Sequence, residues 1–381
     1  MVIKSGYNTV NGDYVFTQIA EEVQKYRAKN KGEVIDLGVG DVKLPPPKIT
    51  VNAMRRAVEN FDGVGFKGYP PDYGYPFLRQ AICARYKKLG QEIFEDEVFI
   101  TEGAKNAIGN ILEIARFSRA MIPIPTYPLY RELCKAHLIK TKLIKGLESD
   151  NFLAHPDFGC DCDLIFLCSP CNPTGAVIGE QLLQEYVDYA EQKNAVIILD
   201  GAYSAFYNYF PPQKLAGASR RVIEVKSYSK SLSFTGLRCG YVVIKREHLL
   251  YNAYKKRESL RTNGVNYFAQ VGALTAYTKE GESAVNERIA HYIDNASILK
   301  RPFLNAGITV LGGQNAPYLF CKINKNGYEA FKEILNSVGV AVTPGEGFNA
   351  KGFIRISCLV TKQTAVEGAL RLEKYLKQKN K

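Results

Sequence analysis

Polar residues of a few kinds follow the ends of short apolar runs in this chain. Asp200 comes directly after Ala195–Leu199, with Tyr203 three residues on. Ser227, Ser229 and Lys230 follow Val222–Val225, and Arg238 stands eight residues beyond Lys230. Asn172 lies in Ser169-Pro-Cys-Asn-Pro-Thr-Gly175, just past Leu164–Cys168. Thr101–Lys105 follows Glu97–Ile100 and opens a helical stretch. In an open parallel sheet, ligands bind beyond the carboxyl ends of the strands. If these runs are neighbouring strands, an amine, a carboxylate, a phenol, an amide, a guanidinium and a helix start converge on one edge.

That set matches a particular chemistry. A lysine forms a Schiff base with an aldehyde cofactor. A carboxylate holds a pyridine nitrogen protonated, which an electron-sink cofactor needs. Asn172 and Tyr203 can donate to a ring oxygen and stabilise its ionised form. Ser227, Ser229, Arg238 and the helix start at Ala104–Lys105 suit a phosphate, because free N–H groups and a guanidinium face it. The ligand these requirements describe is pyridoxal 5′-phosphate. Plainer readings stand beside these: Asp200 as a helix cap, Lys230 as a lysine in a Ser-rich turn, and Asp72 in Pro-Asp-x-Gly as an ordinary turn residue.

The elements that must position these groups alternate along the chain. Helical patterns are expected at 51–60, 75–89, 104–117, 127–136 and 179–193. Strands are expected at 97–100, 119–124, 164–168, 195–199, 222–225 and 241–244. Short apolar strands separated by helices predict a parallel sheet covered on both faces, hence an α/β, doubly wound fold with a smaller α+β unit. Pro45–Pro47 marks a crossing out of an N-terminal arm. A long helical pattern from Gln270 to about Lys300 leads into a C-terminal unit with strands near 318–323 and 352–357 and a closing helix at 364–377. The expected division is an arm over 1–45 belonging to the small domain, a large domain over 46–275, and the remainder of the small domain over 276–381.

Composition narrows the class. The 381 residues carry a net charge of +12, with 46% apolar and 23% charged residues, ordinary for a globular protein. No apolar run approaches the roughly 20 residues of a membrane span, and the first residues lack a secretory pattern. Nine scattered cysteines suit a reducing cytoplasm better than a disulfide framework. The basic excess is dispersed and comes with no nucleic-acid motif. Cys160-x-Cys162 and Cys168-x-x-Cys171 are read as buried thiols rather than a metal site, and the four histidines lack ligand spacing. No metal, nucleic acid or membrane partner is expected.

The chain resembles the class I/II, fold type I aminotransferases over nearly its whole length. The resemblance is carried by Asn172-Pro-Thr-Gly175, Asp200-x-x-Tyr203, Ser227-x-Ser-Lys230-x₇-Arg238 and Gly352-Phe-Ile-Arg355-Ile-Ser357. Within the family it is most similar to the LL-diaminopimelate aminotransferases. Leu37-Gly-Val-Gly-Asp41, Gly68-Tyr-x-Pro-Asp-x-Gly74, Tyr127-Pro-x-Tyr130 and Asn263-Gly-Val265 carry that finer likeness. The resemblance implies that Lys230, Asp200 and Tyr203 are catalytic. It implies that Tyr127 stacks on the cofactor ring, that Ala104, Lys105, Ser227, Ser229 and Arg238 surround the phosphate, and that Tyr69 reaches the phosphate of a neighbouring subunit in a homodimer. It gives Arg355 the substrate carboxylate, with Gly40, Lys105 and Asn172 beside it, and Asp72 and Asn263 the distal end of diaminopimelate. The implied reaction is transfer of an amino group between LL-diaminopimelate and 2-oxoglutarate. A transaminase of other specificity, or a β-lyase on the same fold, remains open, because their chemistry shares these motifs. A binding module that had borrowed the fold would not need both Lys230 and Asp200. Three features depart from the family pattern: Gly201 after Asp200, Cys171 where Asn is common, and a shortened segment between Ile244 and Asn263.

Overall fold

Residues 6, 14–29, 33–59 and 68–379 are described by the structure, a computed structural model. Its strands in chain order are β1 (Ile35–Asp36), β2 (Val98–Thr101), β3 (Arg119–Ile124), β4 (Lys140–Lys145), β5 (Leu164–Cys168), β6 (Val196–Asp200), β7 (Val222–Ser227) and β8 (Gly240–Val243). They continue with β9 (Val310–Gly312), β10 (Tyr318–Lys322), β11 (Val340–Ala341), β12 (Thr343–Pro344) and β13 (Phe353–Ser357). Seven of them form one sheet in the order β2-β8-β7-β6-β5-β3-β4. All pairings in it are parallel except those of β8, which runs antiparallel to both β7 and β2.

Side-chain alternation explains why this sheet is covered twice. In β5, Leu164 and Phe166 pack with the helix Ala104–Glu113, whereas Ile165 and Leu167 pack with the helix Glu180–Lys193. In β6, Val196 and Ile198 take the first face, and Ile197 and Leu199 the second. Strands buried on both faces must be apolar throughout, which is why these runs were legible. The polar strand β4, KTKLIK, lies at the sheet edge with two exposed residues at its start, and its weak apolar signal hid it.

A second core joins the two ends of the chain. Val15, Ile19, Val23, Ile35 and Leu37 pack with Leu319, Ile334, Val340, Ile354, Ile356 and Leu372. β1 pairs in parallel with β11, and β12, β13, β10 and β9 form an antiparallel sheet in that order.

One expected element is corrected. The pattern from Gln270 to Lys300 is not one helix. A helix ends at Leu274, a 3₁₀ turn occupies Thr275–Tyr277, and a new helix runs Lys279–Asn305. Thr278 caps that helix by accepting from Gly281 N at 3.1 Å, while Thr275 Oγ1 donates to Gly272 O at 2.7 Å. Apolar periodicity continues through the break, and local hydroxyl bonding interrupts the backbone. Among the described residues no helix is long and apolar enough to cross a membrane.

Candidate active site

Sheet order brings the polar residues together. Cys168 is in register with Asp200, and Asp200 with Val225, so the carboxyl ends of β5, β6 and β7 lie side by side. Ser227 and Thr101 both pair with Gly240 on β8, which adds the end of β2 and the helix start at Ala104. The result is a cavity of about 540 Å³. Gly40, Ala104, Lys105, Tyr127, Asn172, Asp200, Tyr203, Ser227, Ser229, Lys230, Arg238 and Arg355 all line it.

Asp200 ends β6 and is buried. Its Oδ2 accepts from the Tyr130 hydroxyl at 2.7 Å and its Oδ1 from Ala202 N at 3.0 Å. Burial pushes its carboxyl above the usual range, against the downward pull of those two donors and of the Lys226 charge. Lys230 follows β7, and its amine donates to the Gly40 carbonyl. Its ammonium is lowered to about 8, first by burial and then by the Arg355 and Arg238 charges, against the upward pull of Asp41. A lysine near neutrality is a better nucleophile than an exposed one. Asp41 itself stays below its ordinary value despite burial, because Thr235, Lys43 and the Lys230 charge stabilise its ionised form.

Arg355, from β13 of the second sheet, is 1% exposed. Its Nη1 donates to Asn172 Oδ1 at 3.0 Å, and its Nη2 to Gly38 O at 2.5 Å and Thr343 Oγ1 at 3.3 Å. Tyr318, Phe348 and Phe16 surround it, with ring centroids 4.4, 5.0 and 5.1 Å from the guanidinium carbon. Its Nε has no partner among the described residues. A buried guanidinium without a counter-charge is costly, so this wall of the cavity calls for an anion. Tyr203 stands opposite, 3.0 Å from the Tyr318 hydroxyl and 3.5 Å from Asn172 Nδ2.

A second anion cradle lies at the start of the helix Ala104–Glu113, whose first N–H groups have no side-chain cap. A Cβ at Gly103 would stand 2.6 Å from Arg238 Nη2, so only glycine lets that guanidinium reach the helix end and donate to Glu102 O. Ser227 and Ser229 hydroxyls meet at 2.9 Å beside it. Tyr127 packs edge-on against Tyr130, and burial pushes its phenol up.

Three expected residues lie elsewhere. Tyr69 is 83% exposed, Asn263 is exposed and Asp72 half-buried, and none lines this cavity. The two segments that carry them adjoin: a Cβ at Gly264 would meet Pro70 Cβ at 3.0 Å and the Pro71 carbonyl. Conversely, Tyr130, Tyr318, Asp41 and Thr235 line the cavity without having been assigned a role from the sequence. Tyr130 closes the Tyr127-Pro-x-Tyr130 motif and Asp41 the Leu37-Gly-Val-Gly-Asp41 motif. Tyr318 carries no sequence signal beyond a buried strand, and β10–β13 pairing alone brings it beside Arg355. Among the described residues no three of His, Cys, Asp and Glu gather as a metal ion requires.

The family model for aminotransferase class I and II matches residues 32–372. The chain belongs to the class I and II aminotransferases. It is 34% identical to LL-diaminopimelate aminotransferase of Prochlorococcus marinus, covering 97% of this chain and 98% of that one. The fold is similar to that of L,L-diaminopimelate aminotransferase from Chlamydomonas reinhardtii, with a TM-score of 0.88, 28% identity and 97% of each chain covered. A Thermus thermophilus aspartate aminotransferase shares the fold at TM-score 0.87 and 21% identity, covering 98% of this chain and all of that one. The doubly wound, mostly parallel sheet is thus that of the aminotransferases.

Proposed function

We propose that this aminotransferase works with pyridoxal 5′-phosphate and moves an amino group between LL-diaminopimelate and 2-oxoglutarate. The observation that carries the reading is that a buried Arg355, with no counter-charge among the described residues, shares one cavity with a Lys230 whose ammonium is lowered to about 8. The 34% identity to a diaminopimelate enzyme over 97% of the chain supports the choice of substrate.

The cavity's donors fit such a cofactor. The uncapped helix start, Ser227, Ser229 and Arg238 offer a phosphate N–H and O–H donors, with Lys105 at the rim. Asp200 offers a pyridine nitrogen a carboxylate braced by Tyr130 and Ala202. When bound, the cofactor supplies an electron sink that allows the substrate Cα–H bond to break.

Lys230 would hold the cofactor by its aldehyde until the substrate amine takes its place, and its freed amine would then move the proton taken from the substrate Cα. Asp200 would hold a proton at the ring nitrogen. Asn172 and Tyr203 would donate to the ring oxygen, and Tyr127 would pack beside the ring. Arg355 clamps the α-carboxylate, a task suited to its planar fork. Gly40 leaves room there, since a Cβ would collide with the Tyr318 hydroxyl. Tyr69, Asp72 and Asn263, grouped outside this cavity, serve the cavity of a second copy in a homodimer. The packing of the two segments that carry them and the exposure of Tyr69 and Asn263 support that reading.

The test is direct. Purified protein given the cofactor should absorb in the visible range, and borohydride should fix the label on Lys230. LL-diaminopimelate with 2-oxoglutarate should yield glutamate. A fully active Lys230→Ala variant refutes the mechanism. Activity with another donor but not LL-diaminopimelate refutes the substrate. Pyruvate and ammonia formed without an oxo-acid acceptor refute transamination.

A further inference from the structure

Behind Asp200, across the sheet, lies a buried ion pair that the chemistry described above does not use. Lys226 is 4% exposed and Glu224 fully buried. Both lie on β7, two residues apart, so their side chains share one face. Ile223 and Val225 take the other face, which is also that of Val196 and Ile198 and therefore of Asp200. Lys226 Nζ stands 3.3 Å from Glu224 Oε2 and 3.2 Å from the centroid of the Tyr209 ring. Glu224 Oε2 also accepts from the Tyr86 hydroxyl at 3.0 Å and from Tyr209.

Gly201, a departure from the family pattern, makes this arrangement possible. A Cβ there would stand 2.9 Å from Lys226 Nζ and 3.0 Å from its Cδ. The ammonium thus rests against bare backbone one residue from Asp200, and Gly201 N is held to Val225 O at 2.8 Å. The other groups acting on Asp200 are the Tyr130 hydroxyl, the Ala202 N–H, and the neighbouring Tyr127 and Cys168. Burial pushes Tyr127 up, and the hydrogen bond with Cys171 together with burial pushes Cys168 up, so both are neutral. Burial outweighs the upward pull of Glu224 and then Asp200 and lowers the Lys226 ammonium to about 8, so it is charged at pH 7.

We propose that Lys226 is a positioning residue whose charge, acting past the bare backbone of Gly201, keeps Asp200 ionised, while Glu224 sets how much of that charge Asp200 feels. The proposal rests on the pyridoxal-phosphate reading, which gives Asp200 the ring nitrogen. An opposite charge lowers a carboxyl, and the Lys226 charge acts on Asp200 in that direction beside the Tyr130 and Ala202 donors. Removing Lys226 should therefore let Asp200 take a proton at higher pH.

Equilibrium dialysis of pyridoxal 5′-phosphate against the full-length cofactor-free protein, from about pH 5 to 9, reads this directly. Affinity should weaken on the acid side as Asp200 protonates. Lys226→Met should move that acid limb up by about one unit, which is tenfold weaker binding below it. Gly201→Ala keeps the lysine but displaces its ammonium, and should move the limb the same way. Glu224→Gln should move it down, because Lys226 no longer shares its charge. A purely structural role would weaken binding at every pH and give Lys226→Met and Glu224→Gln the same sign. That outcome, or an unmoved limb, overturns the proposal. Should Lys226→Met not fold, the opposite displacements of Gly201→Ala and Glu224→Gln still decide it. Wild-type protein that binds no cofactor at any pH overturns the cofactor reading and the proposal with it. Wild-type binding with unmoved variants overturns the proposal alone.

Discussion

Replacing Arg355 by Met separates the cavity's demand for an anion from the stability of its walls. The guanidinium is buried, and its partners are Asn172 Oδ1, Gly38 O and Thr343 Oγ1. Gly38 O keeps a second donor, the Thr343 hydroxyl at 2.6 Å, so only Asn172 loses its partner. One orphaned buried acceptor costs about 1–3 kcal/mol. Against this, an unpaired buried cation is removed, and the desolvation it carried was several kcal/mol. Met fills the space between Tyr318, Phe348 and Phe16 with similar volume. The two contributions largely offset, so the thermal midpoint of the ligand-free protein should change by no more than about 4 °C. A substrate carboxylate, however, loses two charge-assisted hydrogen bonds of about 1.5–3 kcal/mol each. That corresponds to a fall of roughly 10²–10⁴ in kcat/KM. Calorimetry and steady-state kinetics on the same preparation check both halves. A midpoint lowered by more than about 10 °C, or kcat/KM kept within about tenfold, would refute the view that Arg355 is held for a ligand.

The remaining predictions concern other walls of the site. With the Lys230 ammonium lowered to about 8, capture of pyridoxal 5′-phosphate by cofactor-free protein should accelerate as pH rises through 8 and level off above it. A rate still climbing steeply at pH 10 would contradict the burial argument. Because the folded chain binds fewer protons at Lys230 than the unfolded chain between pH 8 and the ordinary lysine range, this residue makes stability rise with pH across that window. Lys230→Met should flatten the rise in denaturant titrations at two pH values. Gly40→Ala should push the Tyr318 hydroxyl away from Tyr203 and cost about 1–3 kcal/mol of activation energy in kcat/KM. Its circular dichroism should stay native. Asp72→Ala should lose more than about tenfold in kcat/KM for LL-diaminopimelate and little for a donor with a neutral end, because a distal ammonium loses its partner. Mixed and refolded with Lys230→Ala, it should regain activity if Asp72 serves a second copy's cavity, and no regain would show that it does not.

The large sheet was legible because double burial makes its strands apolar without interruption. β5 and β6 stand out for that reason, and β4 at the edge does not. The break at Thr275–Thr278 was illegible because apolar spacing persists across it while hydroxyl and backbone bonds decide the turn. Within the site, Lys230, Asp200, Asn172 and Arg238 could be singled out because their chemistry is specific and each follows a strand end. Tyr318 could not, since a tyrosine in an apolar strand is ordinary until β10 and β13 pair and bring it 4.4 Å from Arg355.

The sequence by itself determined which groups are available, an amine, a carboxylate, two guanidiniums and a helix start, and the apolar pattern that stacks their strands in one sheet. Only the tertiary structure decided how those groups differ from free side chains. Burial lowers the Lys230 ammonium and raises the Asp200 carboxyl, and Arg355 is left without a counter-charge among the described residues. The same packing sets Lys226 against Gly201, one residue from Asp200. Residue type fixes what a group can donate or accept, whereas the charge it carries depends on the water and neighbours that folding removes or supplies.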